Sequence, residues 1–250
     1  ILGLALLALV LVCVLSLSLG AKPIALQVVF DSLWVGPVHP DSILVLQSRL
    51  PRTLLGALAG AALALAGALM QALTRNPLAD PGILGVNAGA SFTGGGGGGR
   101  IGWGSAGTLG VRNLEGVVWI TPTIVCGGLL ALSLARPLNA LSMGEDLARS
   151  LGTRPRRTQV LTVAAITLLC GASTAVAGPI GFIGLMIPAL ARWLMGSDLR
   201  WSLPLGLLLG PCLLLLADII GRLLVPGELR VSIVTAFVGA PVLIWLARRG

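Results

Sequence analysis

Two ionisable residues lie four positions apart inside an otherwise apolar segment near the C-terminus. Asp218 and Arg222 occur in the run ADIIGRLL. On a helix this spacing places both side chains on one face, where a carboxylate and a guanidinium can pair. An ionisable residue inside a membrane is also a functional candidate by default. The spacing leaves two alternatives open, a structural ion pair or a charge with a function at the membrane.

A second charged group lies in the polar segment LNALSMGEDLARSLG, residues 138–152. Glu145 and Asp146 follow Gly144, and Arg149 comes three to four residues later. Acidic residues after a glycine break suit the N-terminus of a helix. The segment is therefore predicted to form a short amphipathic helix pair, which is either a solvated face or a docking surface for a soluble partner.

The cysteines and the single histidine do not form a pattern that would hold a metal. Cys13, Cys126, Cys170 and Cys212 all lie in apolar runs, and none belongs to a CxxC pair. Small buried hydrophobic residues are the favoured interpretation. His39 lies in a Pro-rich polar loop without neighbouring ligands. We predict no metal site.

The composition is that of a polytopic membrane protein. Of 250 residues, 56% are hydrophobic and only 10% are charged, whereas a soluble domain carries about 25% charged residues. Long apolar runs separated by short polar loops predict membrane helices. The net charge of +8 then marks cytoplasmic loops and does not indicate nucleic-acid binding.

Seven candidate helices follow, in an all-α transmembrane bundle without the period-2 alternation of a membrane β-barrel. Their approximate bounds are 1–19, 53–73, 117–135, 159–177, 180–195, 203–224 and 231–247. The chain begins at Ile1 without a Met, and we expect the first run to be a membrane helix and not a signal peptide. The fifth candidate is short and contains Pro188, which predicts a half-span or a kink.

Basic residues orient the bundle. The loop from Ala135 to Thr158 is rich in arginine and should be cytoplasmic, as should the C-terminal Arg248 and Arg249. Four crossings separate the two, so the assignments agree. Arg75, Arg192 and Arg200 then also lie on the cytoplasmic side.

A run of six glycines, Gly94 to Gly99, conflicts with this topology. The helices at 53–73 and 117–135 must both run inward, so an outward crossing is required between them. Six glycines span at most about 20 Å, and an unpaired backbone in lipid costs several kcal/mol per group. We infer that an odd number of helices is missing, that the segment 93–100 is a splice or linker, and that 1–250 is otherwise one transmembrane domain. A natural Gly-rich loop is the alternative.

Five stretches, in order, resemble the FecCD-type permease family of bacterial ABC importers for iron–siderophore complexes, haem and cobalamin. They are RLPR, QALTRNPLADPGILGVNAGA, RPLNALSMGEDLARSLG, GPIGFIGLMIP and GELRVSIVTAFVGAP. The resemblance covers most of the chain on both sides of the glycines. It implies about ten membrane helices, of which the third to fifth would be absent here.

The resemblance also implies the function and the partners. The chain would be one half of a homodimeric or pseudo-dimeric channel in the bacterial inner membrane. A soluble or lipid-anchored binding protein would deliver the chelate, and two cytoplasmic ATPase subunits would bind ATP and magnesium. The chain has no GxxxxGK[ST] loop, so it is not expected to be an enzyme or to hold a cofactor itself. A ferric siderophore is the favoured cargo, with haem or cobalamin as alternatives.

By the same resemblance, particular residues acquire roles. Arg49, Arg52 and Arg222 at the outer end would meet acidic residues of the binding protein, although ordinary interfacial snorkelling of the first two is the alternative. The ATPase contact would involve Leu141, Gly144, Glu145, Asp146, Ala148, Arg149, Leu151 and Gly152. The translocation path would involve Met70, Gln71, Asn76 and Asn87.

Two readings from other classes remain. An ion-coupled secondary transporter would need carboxylates deep in the membrane, and only Asp218 qualifies. A non-transporting fragment is the other, because the missing helices would carry part of the gate. We expect an intact relative to transport and this chain, as it stands, not to.

Overall fold

The computed structural model describes residues 1–20, 22–82, 114–224 and 231–249, and every regular element in these ranges is helical. The all-α prediction is therefore confirmed. The helices are α1 Leu2–Ser18, α2 Leu26–Trp34, α3 Ser42–Leu44, α4 Leu50–Thr74, α5 Leu114–Ser133, α6 Ala135–Ser142, α7 Glu145–Ser150, α8 Pro155–Ala177, α9 Ile183–Met195, α10 Leu199–Leu224 and α11 Val231–Arg249.

Each of the seven predicted helices is present, but they differ in their ability to cross a membrane. Three are both long and apolar enough, namely Ser42–Thr74, Pro155–Ala177 and Leu199–Leu224. The pair α5 and α6 passes the same test together, with a bend of 44° between them. Helix α9 has only 13 residues and contains Pro188, so at 1.5 Å per residue it spans about 20 Å, short of the ~30 Å hydrocarbon core.

Helix α4 lies at the centre of the bundle and packs against α5, α8, α9 and α10. Its sequence is rich in alanine and glycine, which permits close approach of neighbouring backbones. At Gly60 an added Cβ would lie only 2.6 Å from the carbonyl oxygen of Gly210 on α10. At Gly67 it would meet the backbone of Gly184 on α9. The small residues therefore set the spacing of the three helices.

The outer end of α4 differs from the prediction. The helix was expected to begin near residue 53, with the RLPR stretch as an outer cap. Instead a π-helical turn, Val45–Arg49, joins α3 to α4 in one continuous helix from Ser42 to Thr74. Pro51 comes just after this turn; it has no backbone N–H to donate to an i−4 carbonyl, and the π-helical turn before it already departs from the α-helical hydrogen-bond pattern. Arg49 and Arg52 consequently lie within a helix and not at its end.

A short outer helix, α2, was not predicted. Leu26–Trp34 follows α1 and contacts both α1 and the π-helical turn. Val29 of α2 packs with Leu17, Ile24 and Val45 in a small apolar cluster at this end of the molecule. The predicted glycine splice, 93–100, lies outside the described residues.

Candidate functional site

A buried charge cluster joins α4 to α10 at their outer ends. Arg52 Nη2 lies 2.8 Å from Asp218 Oδ1, and Arg52 Nε donates to both carboxylate oxygens at 3.1 and 3.2 Å. Arg222 Nη2 lies 3.0 Å from Asp218 Oδ2. The Asp218 side chain is fully buried, and those of Arg52 and Arg222 are 12% and 7% exposed. One carboxylate thus holds two guanidinium groups.

The third outer arginine, Arg49, is tied to the end of α1. Its Nη1 donates to the carbonyl oxygens of Leu17 and Ser18 at 2.8 and 2.7 Å, and its Nη2 donates to that of Lys22. The last carbonyls of a helix lack partners within the helix and carry partial negative charge. Arg49, only 5% exposed, therefore completes the C-terminus of α1.

These contacts bear on the predicted docking role of Arg49, Arg52 and Arg222. All three guanidinium groups form hydrogen bonds within the chain and lie mostly below its surface. Docking of a partner at this end stays a prediction, and it would rest on the field of a cluster with three arginines and one aspartate. The simple snorkelling alternative does not describe Arg49, because its side chain points to helix carbonyls and not to solvent.

At the inner end, α6 and α7 form the short helix pair that the sequence indicated. Gly144 separates them with φ of 120°, a backbone conformation that only glycine adopts readily. Arg149 Nη2 lies 3.0 Å from Glu145 Oε2, and Arg149 Nη1 lies 3.3 Å from Asp146 Oδ1. These side chains are exposed, so the pairs contribute little to stability.

The helix pair has one buried and one exposed side. Leu141 and Ala148 are 7% and 0% exposed and pack against the chain's own helices. Met143, Leu147 and Leu151 are 68%, 44% and 63% exposed.

The residues predicted for the ATPase contact lie on both sides of the pair. Leu141 and Ala148 hold the pair in place, whereas Glu145, Asp146, Arg149 and Leu151 lie at the surface. Met143 and Leu147 were not singled out from the sequence, and they complete the exposed apolar side. The exposed position of Leu147 could have been read from helical spacing after Gly144. Gly152, with φ of 80°, closes the segment.

Hydrogen bonds attach helix α6 to the inner ends of α4 and α10. Arg75, the residue after α4, donates from Nη2 to the carbonyl oxygen of Leu141 at 2.6 Å. Asn139 Nδ2 donates to Asp198 Oδ1 at 2.6 Å, and Asn139 Oδ1 accepts from the backbone N–H of Leu199 at 3.1 Å. The inner ends of α4 and α10 are thus joined through α6. Sequence reasoning missed Asn139 and Asp198, because 59 residues separate them.

Asp198 also caps the start of α10. Its Oδ1 accepts from the backbone N–H of Arg200 at 2.8 Å. That hydrogen bond lowers the pKa of the Asp198 carboxyl most, and together with the hydrogen bond from Asn139 and the Arg200 charge it outweighs the opposing effect of desolvation, so the pKa lies below its usual range.

The residues predicted for a translocation path differ in burial and in their surroundings. Gln71 is buried, Met70 is partly buried, and both lie in the last two turns of α4. Asn76 is exposed, and its Oδ1 accepts from the N–H of Leu78 at 2.9 Å, which indicates a local turn. Asn87 lies outside the described residues.

Comparison with known proteins decides the family. The FecCD transport family matches residues 8–94 and 100–249. The chain belongs to the FecCD transport family. The ferric enterobactin transport system permease protein FepD of Escherichia coli (strain K12) is 45% identical, over 98% of this chain and 93% of that protein. The Fe(3+)-citrate import system permease protein YfmD of Bacillus subtilis (strain 168) is 35% identical, over 94% and 90%. A solved structure of a metal-chelate type ABC transporter in an inward-facing conformation superposes with a TM-score of 0.84 at 26% identity. The match covers 100% of this chain and 99% of that one.

The same comparisons bear on the conflict in topology. The family match is interrupted between residues 94 and 100, within the glycine run. The alignment with FepD has 313 positions, 63 more than this FecCD-family chain has residues. Three membrane helices of about 20 residues each would fill such a gap. The chain is therefore truncated relative to FepD, and the assignment of the glycine run as the place of missing helices stays a prediction.

Proposed function

We propose that this FecCD-family chain is the membrane-spanning subunit of an ABC importer for a ferric siderophore in the bacterial inner membrane. The observation that carries the proposal is the family match on both sides of the glycine run. The relatives named above are transport permeases for ferric enterobactin and ferric citrate. The energy would come from ATP hydrolysis in separate subunits.

The partners belong to the same proposal. Two ATPase subunits would dock on the inner face, a second permease subunit would complete the channel, and a substrate-binding protein would dock on the outer face. The exposed apolar residues of α6 and α7 support the inner contact, because Met143, Leu147 and Leu151 are flanked by charged side chains. An apolar centre with a charged rim is typical of a protein interface.

The geometry also supports a route for coupling. The inner surface of α6 and α7 is attached to α4 and α10 through Arg75 and Asn139. The outer ends of the same two helices are joined by Arg52 and Asp218. A displacement of the inner surface would therefore be delivered to the outer end by two closely packed helices, without an intervening loop.

An ion-coupled secondary transporter is less well supported by the arrangement of charges. Such a carrier needs a carboxylate that can take up and release a cation. Asp218 is the acidic residue placed within a spanning helix of the described ranges, and Arg52 and Arg222 both neutralise it.

The test is co-purification of the chain with its cognate ATPase, followed by ATP turnover with and without binding protein. We expect Leu147→Asp to lower ATPase retention about tenfold or more, since a charge would enter the centre of the apolar contact. The control is Val38→Asp, which changes an exposed apolar residue in the outer loop, 63% exposed against 44% for Leu147, and should leave retention unchanged. Full retention by Leu147→Asp would contradict the proposed inner contact.

A second measurement separates docking from transport. Cells that lack the intact permease are supplied with this chain and assayed for uptake of the ferric siderophore. We expect no uptake, because three helices' worth of the relatives' sequence is absent. Uptake would show that the remaining helices suffice and would overturn that expectation. Retention of the ATPase without uptake would support it.

A further inference from the structure

A cavity of about 340 Å³ lies among the inner ends of α4, α6 and α9 and the start of α10. Its polar lining consists of Gln71, Arg75, Asn139, Ser142, Arg192 and Ser197. The cavity lies on the side that the basic loops assign to the cytoplasm, at the level where membrane helices end. Its volume is near the lower limit of about 300–1,000 Å³ for small-molecule sites, which suits a group of headgroup size.

In the described part of the chain, the lining carries two positive charges and no carboxylate. Arg75 uses Nη2 for the carbonyl of Leu141, which leaves its other donors for a ligand. Arg192 lies in the last turn of α9 and is partly buried. Within the described ranges, its guanidinium has neither a hydrogen bond nor an ion pair. Asp198 is close in sequence, but its Oδ1 accepts from Asn139 and Arg200.

Gln71 contributes a second polar group that a ligand would have to satisfy. Its Nε2 donates weakly to the carbonyl oxygens of Gly184 and Leu185 at 3.4 and 3.3 Å. Its Oε1 is buried and has no hydrogen-bond donor in the described part of the chain. A buried acceptor without a donor costs free energy. Among the described residues, the lining therefore offers neither a carboxylate for Arg192 nor a hydrogen-bond donor for Gln71 Oε1.

We propose that this cavity binds a phospholipid headgroup from the inner leaflet that combines an anionic phosphate with a hydroxyl donor, as phosphatidylglycerol does. The phosphate would accept hydrogen bonds from Arg192 and Arg75, and the hydroxyl would donate towards Gln71. Basic pockets between membrane helices on the cytoplasmic side bind anionic headgroups in this way. Inorganic phosphate offers the same kind of anionic oxygens, but it is not held at the membrane.

The test is native mass spectrometry of the detergent-solubilised chain with phosphatidylglycerol, phosphatidylcholine or inorganic phosphate added. We expect retention of phosphatidylglycerol and about tenfold weaker retention of phosphatidylcholine, whose headgroup has no donor. Arg192→Gln should lower phosphatidylglycerol retention about tenfold or more, since a charge-assisted hydrogen bond is lost. Arg192→Lys should keep part of it. Gln71→Leu should reduce the preference for phosphatidylglycerol over phosphatidylcholine.

The matched control is Arg136→Gln. Arg136 is exposed on α6, outside the cavity, and its replacement removes the same charge from the same side of the molecule. Equal loss of lipid in Arg136→Gln and Arg192→Gln would show general surface attraction and overturn the proposal. Displacement by equimolar inorganic phosphate would assign the site to a soluble anion, which also overturns it. Wild-type retention of phosphatidylglycerol by Arg192→Gln would also overturn the proposal.

Discussion

Arg52 and Asp218, which are 166 residues apart in the sequence, form a bidentate contact that closes the outer ends of α4 and α10. Arg222 binds the other side of the same carboxylate. The three side chains are buried, so the negative charge of the carboxylate compensates the desolvation of two guanidinium groups.

Asp218→Asn is therefore expected to lower the stability of the chain. Removal of one partner from a buried pair typically costs about 3–5 kcal/mol, and here the change leaves two arginines uncompensated. The measurement is thermal unfolding in detergent. The control is Asp41→Asn, which removes an exposed ion pair with Lys22 and should shift the midpoint much less. Equal shifts for the two variants would show that the outer cluster does not stabilise the helix pair.

Gly60→Ala tests the close packing of α4 on α10. The new Cβ would lie 2.6 Å from the carbonyl oxygen of Gly210, and both partners are backbone atoms that cannot turn away. Overpacking of this kind costs about 1–3 kcal/mol, against a gain of at most about 1 kcal/mol from helix propensity. We expect a lower unfolding midpoint.

The control for that variant is Gly128→Ala on α5, where an added Cβ would make an ordinary 3.7 Å contact with Leu65. Its midpoint should be unchanged or slightly raised. If Gly60→Ala were as stable as Gly128→Ala, the two backbones would not be as close as described.

The lowered pKa of Asp198 predicts that the stability of the chain depends on pH. Its pKa is lowered in the folded chain, first by the N–H of Arg200 and then by Asn139 and the Arg200 charge. The stabilising contribution should therefore be complete above its unfolded pKa of about 3.9 and be lost as the pH falls through the folded value. The measurement is the difference in unfolding midpoint between wild type and Asp198→Asn, followed from pH 7 downwards. A difference that grows with acidity would contradict the assignment.

Asn139→Ala tests the attachment of α6 to α10 and rests on the proposed function. It removes two hydrogen bonds, to Asp198 and from Leu199, while the exposed residues of α6 and α7 are untouched. We expect the ATPase to remain bound and its stimulation by binding protein to fall severalfold. The control is Ser150→Ala, whose hydroxyl bonds only within α7. Unchanged stimulation in Asn139→Ala would exclude this attachment from coupling.

The sequence predicted the helices well because each is an apolar run with polar ends, which is a local property. It also placed Asp218 and Arg222 on one face, since a helix repeats every 3.6 residues. It could not identify Arg52 as their common partner, or Asn139 as the partner of Asp198, because such pairs depend on how distant helices pack. Arg49 was expected at the surface, because nothing near it in the sequence reveals the end of α1.

The surface helices show the same limit in another form. Amphipathic spacing predicted that α6 and α7 have two sides, and the family resemblance implied that Leu141 and Ala148 contact a partner. Both pack against the chain itself. Which side of a short helix is covered depends on the helices beneath it, and those are brought there by residues far away in the sequence.

The length of the continuous helix from Ser42 to Thr74 determines how far its outer end extends beyond the lipid. Its 33 residues measure about 50 Å, whereas the hydrocarbon core is about 30 Å thick. Because Thr74 ends at the inner surface, Arg52 lies about one membrane thickness away, at the outer boundary. The ten residues from Ser42 to Pro51 then extend about 15 Å beyond that boundary, and α2 packs against them, so that Ser42 and Val45 are buried. A protein arriving from outside would meet this packed outer cap before it reached the membrane.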